Sequence, residues 1–320
     1  MKICSEMEKG VYLFCIANLS EYVKKVLLES HWKVDDLKKR PKEVGRYLKI
    51  RGEFGFDQKK TDEEFATAMR FIEEREERRF CTILDEEYPW MLRSSRYAPF
   101  GLIYEGSLDM DWERTLTVVG TRRPMRASRQ AAYRFALECG LNGVSVASGL
   151  AYGIDQTVAM GCLDGGGKTL GVLGCGLGVD YPRNAGLLKK RIVENGGAVI
   201  SQFVPYMPGL GYNFPLRNFT LGLMSPAVVA FQAGAHSGVL NTVGHALNNG
   251  RDVYVHGSGV SDHWMCSGTA DLAFDGAPVI EDVSELFDDA VRKVRRVEYS
   301  PMLQARSDLF RHGECWYETV

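Results

Sequence analysis

The octapeptide Ser148-Gly149-Leu150-Ala151-Tyr152-Gly153-Ile154-Asp155 follows a short β-like run, Val144 to Ala147, and leads directly into a helix-compatible stretch. Its two glycines allow a tight turn and close backbone approach, and the helix that follows offers unpaired N–H groups and a positive dipole end to an anion. Three more loops also follow apolar runs: Gly120-Thr121-Arg122-Arg123, Gly174-Cys175-Gly176 and Ala233-Gly234-Ala235-His236-Ser237-Gly238. In an open parallel sheet such loops gather at the carboxyl edge of the strands, where ligands bind.

The strands that would carry these loops are short and rich in β-branched residues: Leu116 to Val119, Val144 to Ala147, Thr169 to Leu173, Val199 to Ile200, Ala227 to Phe231 and Val253 to Val255. Helix-length segments alternate with them: Ser128 to Cys139, Asp155 to Leu163, Ala185 to Asn195, Val239 to Asn249 and Ser284 to Val294. Gly140, Gly196 and Gly250 mark helix ends. Alternation of this kind predicts an α/β fold, an extended Rossmann-like parallel sheet with flanking helices. Before it, 1–79 reads as a small helical domain, with Val23, Val26 and Leu27, then Phe65, Ala68, Met69 and Ile72 at helical spacing. Its last helix is expected over Thr61 to Arg79, opened by the capping-box pattern Thr-Asp-Glu-Glu and supported by Glu74 four residues before Arg78. The Rossmann-like domain then occupies 80–290 and a short tail 291–320.

Composition narrows the class. The chain has 320 residues, 45% apolar and 25% charged, and a net charge of −2, so no general basic coat exists and any polyanion site must be a local concentration of cations. No apolar run approaches a bilayer span and the N-terminus has no signal core. The eight cysteines include no Cys-x-x-Cys, which fits reduced thiols in a cytoplasm. His236, His245, His256 and His263 match no metal-ligand spacing, and paired catalytic carboxylates and a Gly-x-Ser-x-Gly elbow are missing, so neither a metal, a cofactor nor a catalytic residue is expected.

What remains is phosphate-holding chemistry. Thr121, Arg122 and Arg123 are delivered to the sheet edge, with Arg126 and Arg129 on the incoming helix; guanidinium groups pair with phosphate oxygens, and arginines disfavour a helix's positive end unless an anion sits there. Ser148, Gly149 and Gly153 are expected to form the cradle, a plain tight βα turn being the alternative that two glycines also satisfy, with Asp155 expected to cap or to orient donors. Gly174-Cys175-Gly176 lacks the spacing of a dinucleotide fingerprint and runs into Asp180-Tyr181-Pro182. Gly211 to Asn218 combines Tyr212, Phe214, Pro215 and Arg217, read as an aromatic loop on which an unstacked base can lie, with a core role as the competing reading for Phe214. Ser237 and Gly238 complete the set of phosphate loops.

The ordered segments Val-Gly-Thr-Arg-Arg-Pro (119–124), Ser-Gly-Leu-Ala-Tyr-Gly-Ile-Asp (148–155), Val-Leu-Gly-Cys-Gly-Leu (172–177), Tyr-Pro (181–182), Gly-Ala-Val-Ile-Ser (197–201), Asn-Phe-Pro-Leu-Arg-Asn (213–218) and Ser-Gly-Val-Leu-Asn-Thr (237–242) resemble the DNA-processing protein A family, also called Smf. The resemblance implies a non-enzymatic, dimeric, single-stranded DNA-binding protein that loads RecA during natural transformation and recombination. It also implies DNA contacts at Arg122, Arg123, Ser148, Gly149, Gly153, Lys168, Phe214 and Arg217. The competing reading is a Rossmann-like binder or enzyme for a nucleotide or nucleotide-derived messenger, because such sheets hold small phosphorylated ligands equally well.

Four positions depart from the family pattern. Ala159 stands where the family has histidine, Gln202 and Gln232 where it has glutamate, and Phe219 where it has arginine. An acid buried without its cation destabilises, so the joint change is expected to replace an interior ion-pair network by neutral hydrogen bonds while the phosphate loops persist. The winged-helix module that many relatives append, with its duplex binding, is not expected in the short tail after Val294.

Overall fold

The computed structural model describes residues 2–49, 54–183 and 185–286; the expected tail over 291–320 and most of the helix expected over 284–294 lie outside the described residues. Helices α1 (Lys2–Cys15), α2 (Glu21–Glu29), α3 (Val34–Lys39), α4 (Pro41–Tyr47) and α5 (Gln58–Glu73) come first. Helix α5 starts ahead of the expected Thr61 because Asp57 takes the cap, accepting from Lys60 N at 3.0 Å, while the Thr61 hydroxyl donates to the Asp57 carbonyl at 2.8 Å. It also stops early. The expected Glu74–Arg78 pair forms at 3.1 Å, but Arg78 already belongs to a strand and reaches Glu105 as well.

The rest alternates: β1 (Arg78–Thr82), α6 (Trp90–Arg93), β2 (Gly101–Gly106), β3 (Thr115–Val119), α7 (Arg126–Leu141), β4 (Ser145–Ser148), α8 (Ile154–Asp164), β5 (Thr169–Val172), α9 (Ala185–Glu194), β6 (Ala198–Ser201), α10 (Asn213–Leu223), β7 (Ala227–Ala230), α11 (Gly238–Asn248), β8 (Asp252–His256), α12 (Ser267–Phe274) and β9 (Val279–Ile280). Among the described residues the strands form one sheet in the order β1-β2-β6-β5-β4-β3-β7-β8-β9. From β6 to β9 every pairing is parallel; β1 and β2 join antiparallel. The chain builds outward from β3 through β4 and β5 to β6, then returns to lay β7 on the other flank of β3. This reversal parts the loops after β3 and β7 and opens a crevice between them.

Every residue of β3 to β7 is buried, as a sheet covered on both faces requires. Alternation along β3 divides the core: Leu116 and Val118 face Phe135, Ile154 and Val158 of α7 and α8, whereas Val119 joins Leu221 and Leu223 of α10 with Val239 and Val243 of α11. The N-terminal helices share a core with Phe80, Phe100 and Ile103 of the antiparallel edge; Phe14 meets Phe80 edge-on at 5.4 Å, and the Glu21 carboxylate accepts from Phe100 N at 2.6 Å.

Gly196 (φ +76°) and Gly250 (φ +69°) follow α9 and α11 as expected. Gly140 does not end its helix. It lies inside α7, where a Cβ would stand 2.3 Å from the Cys162 carbonyl oxygen, and Gly143 (φ +67°) makes the left-handed turn instead. Across the same contact a Cβ at Gly161 of α8 would meet the Tyr133 carbonyl oxygen at 2.5 Å. Glycine therefore sets how closely these two helices approach. Gly161→Ala is expected to cost about 1–3 kcal/mol, whereas Gly244→Ala, in open space on α11, gains about 0.5–1 kcal/mol; urea unfolding midpoints of the two variants should move in opposite directions.

Candidate functional site

The crevice at the strand reversal is a cavity of about 430 Å³. Thr121, Arg122 and Arg123 enter it from the loop after β3, and Gly234 and Ser237 from the loop after β7. Asp155 comes from α8, Phe214, Arg217 and Asn218 from α10, and Gly238 and Thr242 from α11, so three helices present their N-terminal ends to one space. Neither α10 nor α11 has an acid in its first turn to quench that field. Trp264 and Met265, from a 3-10 helix over Trp264–Cys266, complete the wall.

The loops meet backbone to backbone. At Gly153 (φ +82°) a Cβ would stand 2.4 Å from the Thr121 carbonyl oxygen, which accepts from Ile154 N at 3.2 Å. Thr121 N in turn donates to the Gln232 carbonyl at 2.8 Å, and the Gln232 side chain accepts from Met125 N at 2.9 Å. The arginine loop is thus held at both ends.

Below it lies a buried pair of opposite charges. Arg217 is only 5% exposed and donates to the Val172 carbonyl at 3.2 Å; its Nε has no hydrogen-bond partner among the described residues. Asp155 faces it across Gly149, where a Cβ would fall 1.5 Å from Arg217 Nη1 and 2.7 Å from Asp155 Oδ2. Burial pushes the Asp155 carboxyl up to about 6, against the opposing pull of Arg217 and of backbone hydrogen bonds at Ala151 and Gly120. Desolvation likewise lowers the Arg217 guanidinium, and Asp155 opposes that fall. The carboxylate orients neighbouring backbone, the second of the two roles that its place in the loop suggests.

The structure brings together Thr121, Arg122, Arg123, Phe214, Arg217, Asn218, Ser237 and Gly238, with Gly149 and Gly153 behind them. Four other expected contacts stand apart. Ser148 is fully buried and its hydroxyl donates to the Val118 carbonyl at 2.8 Å. Lys168 precedes β5, at the amino edge of the sheet, and its ammonium donates to the Asp109 carbonyl at 2.7 Å. Gly174 makes room for the Phe214 ring, 2.7 Å from where its Cβ would be, and Gly176 packs on the Val204 and Pro205 carbonyls. The segment read as an aromatic loop is in fact the first turn of α10, with Pro215 where its missing N–H leaves no helical bond unmade. Phe214 lies under the Arg122 guanidinium, 5.4 Å from ring centroid to Cζ, and beside Tyr181 at 5.5 Å.

The replaced positions form neutral contacts, although not one network. The Gln202 side-chain oxygen accepts from the Thr220 hydroxyl. Phe219 packs edge-on against His245 at 5.2 Å and Tyr97 at 6.3 Å. Gln232 serves the arginine loop, separated from Gln202 by the strands between β7 and β6. Ala159 sits in an apolar cluster with Leu150, Leu163 and Leu173. Sequence reading missed Trp264, whose signal was a large ring isolated among turn-forming residues, and the pairing of Asp155 with Arg217, which needs the third dimension.

The model of the family described as DNA recombination-mediator protein A matches residues 79–291. Protein Smf of Escherichia coli is 32% identical over 204 residues, 62% of this chain and 54% of that protein, so the chain spans about half the length of that relative. DNA processing protein DprA of Streptococcus pneumoniae is 34% identical over 207 residues, 63% of this chain and 73% of that one. An X-ray structure of DprA from S. pneumoniae superposes with a TM-score of 0.69 at 26% identity, covering 88% of this chain and 97% of that one. DNA processing protein A of Helicobacter pylori, described with a single-stranded DNA binding mode, shares the fold at a TM-score of 0.59 and 23% identity, covering 67% of this chain and 96% of that one.

An anion entering the crevice adds negative charge beside Asp155 and raises its proton affinity further, so binding takes up a proton. Sulfate, whose own charge is fixed in this range, should bind more tightly as pH falls from about 8 to about 6, at most about ten-fold per pH unit. Asp155→Asn should flatten that dependence, measured by calorimetric titration.

Proposed function

The chain belongs to the DNA recombination-mediator protein A family, and we propose that it is a non-enzymatic, cytoplasmic binder of single-stranded DNA acting in DNA uptake and recombination. The observation that carries this reading is the crevice itself: Arg122 and Arg123 at its rim, Arg217 at its floor and three helix N-termini around it, in a chain with a net charge of −2. Cations that are locally concentrated on an otherwise balanced surface suit a polyanion that threads one groove. Thr121, Asn218, Ser237 and Gly238 supply hydroxyl, amide and backbone donors to the same strand, and Phe214 props the Arg122 guanidinium.

RecA is the protein partner of this reading, and a homodimer its assembly. The outer edge of the sheet at β9, preceded by α12 with its 93% exposed Phe274, offers an apolar border for a second copy. No described helix is long and apolar enough to cross a membrane, and no group of three His, Cys, Asp or Glu among the described residues is placed to hold a metal ion.

Fluorescence anisotropy of a labelled oligo-dT tests the reading. Arg122→Ala combined with Arg123→Ala should weaken binding at every salt concentration and make the dependence of log affinity on log salt shallower by about 1.4, or about 0.7 for each phosphate no longer neutralised. Wild-type affinity and slope in the double variant would remove both arginines from the interface.

A further inference from the structure

We propose that Trp264 is the surface on which an unstacked base of the bound strand lies, a subsite separate from the phosphate-holding floor; the inference rests on the single-strand reading of the crevice. Phe214, the ring that the sequence suggests for this task, is already engaged: the Arg122 guanidinium lies over it, Tyr181 flanks it, and the gap left by Gly174 receives its edge. Trp264 lines the same cavity and is 75% exposed. A lone exposed tryptophan is ordinary on a protein surface. An indole at the mouth of an arginine-lined groove has the chemistry of a sequence-tolerant base platform.

The turn that presents the ring is fixed. His263 Nδ1 accepts from Met265 N at 3.2 Å, the His263 carbonyl accepts from Cys266 N at 2.7 Å, and the Trp264 carbonyl accepts from the Ser267 hydroxyl at 2.9 Å. Cys266 is wholly buried beneath it. The next residues dock on the loop after β7: Ala235 N donates to Ser267 Oγ at 3.0 Å, and a Cβ at Gly268 would stand 2.6 Å from the Gly234 carbonyl oxygen. The His263 imidazole stacks on the indole, with centroids 5.8 Å apart and planes at 28°. An indole backed by another ring on a hydrogen-bonded turn loses little freedom when a base joins the stack.

Two labelled strands of equal length separate this role from a structural one: oligo-dT, and the same backbone with abasic sites throughout. Trp264→Ala should lower affinity for oligo-dT roughly ten-fold, the size of one base–aromatic stack, without changing the salt slope, since every phosphate keeps its cation. Trp264→Phe should keep most of the affinity. On the abasic strand Trp264→Ala should match wild type. Equal binding of oligo-dT by wild type and Trp264→Ala, or an equal loss on both strands, would overturn the inference while leaving the single-strand reading in place. A wild-type protein that binds neither strand would overturn both.

Discussion

The site is built over two buried opposite charges, Asp155 and Arg217, which belong to different helices and converge on the space that Gly149 leaves open. Neither charge is easily removed alone: an isolated carboxylate or guanidinium in that interior would carry an uncompensated desolvation penalty of several kcal/mol. Each charge offsets part of the other's desolvation, which favours the start of α8 and the first turns of α10 staying near one another. Asp155 also engages backbone at Ala151 and Gly120, which extends the tie to the loop after β3. Removing Gly149 as the spacer would break this arrangement more surely than any change at the rim.

Around that pair the crevice is made by backbone meeting backbone. Gly153 lies against the Thr121 and Arg122 carbonyls and Gly268 against Gly234, while Gly120 makes room for the Ile154 side chain. A side chain at any of these points would push two loops apart, so their separation does not depend on a ligand to draw them together. Such a groove is preorganised. The freedom lost on binding would fall on the ligand and on a few long side chains, Arg122 and Arg123 above all, and far less on the protein's loops.

The parallel core was legible from its β-branched runs because a strand buried on both faces must be apolar throughout. The antiparallel edge was not. β1 begins Arg-Arg-Phe, and Arg78 pairs with both Glu105 and Glu74 at the border of the sheet, where propensity says little. Helix α10 was hidden by Pro215 and its aromatic neighbours, which read locally as a turn although proline in a first turn forfeits no bond. Loop glycines announced the carboxyl edge correctly, yet they could not say which face a side chain takes: the Ser148 hydroxyl turned inward to Val118, and Lys168 fell at the opposite edge. Residue type located the loops, and register decided which atoms reach the crevice.

The replaced residues follow the same geometry. Arg217 and Asn218 of α10 turn to the crevice, whereas Phe219 packs against His245 and Tyr97, and Gln202 meets Thr220 on the same helix. Those changes repack a helix without touching the groove. Gln232 is different, since its side-chain oxygen anchors Met125 N at the entrance to α7 and its backbone carbonyl anchors Thr121 N. The amide oxygen still accepts from that donor, so the arginine loop keeps its anchor, although the Gln232 Nε2 finds no hydrogen-bond partner among the described residues. Compared with a glutamate at this position, the neutral amide leaves one negative charge fewer beside the groove.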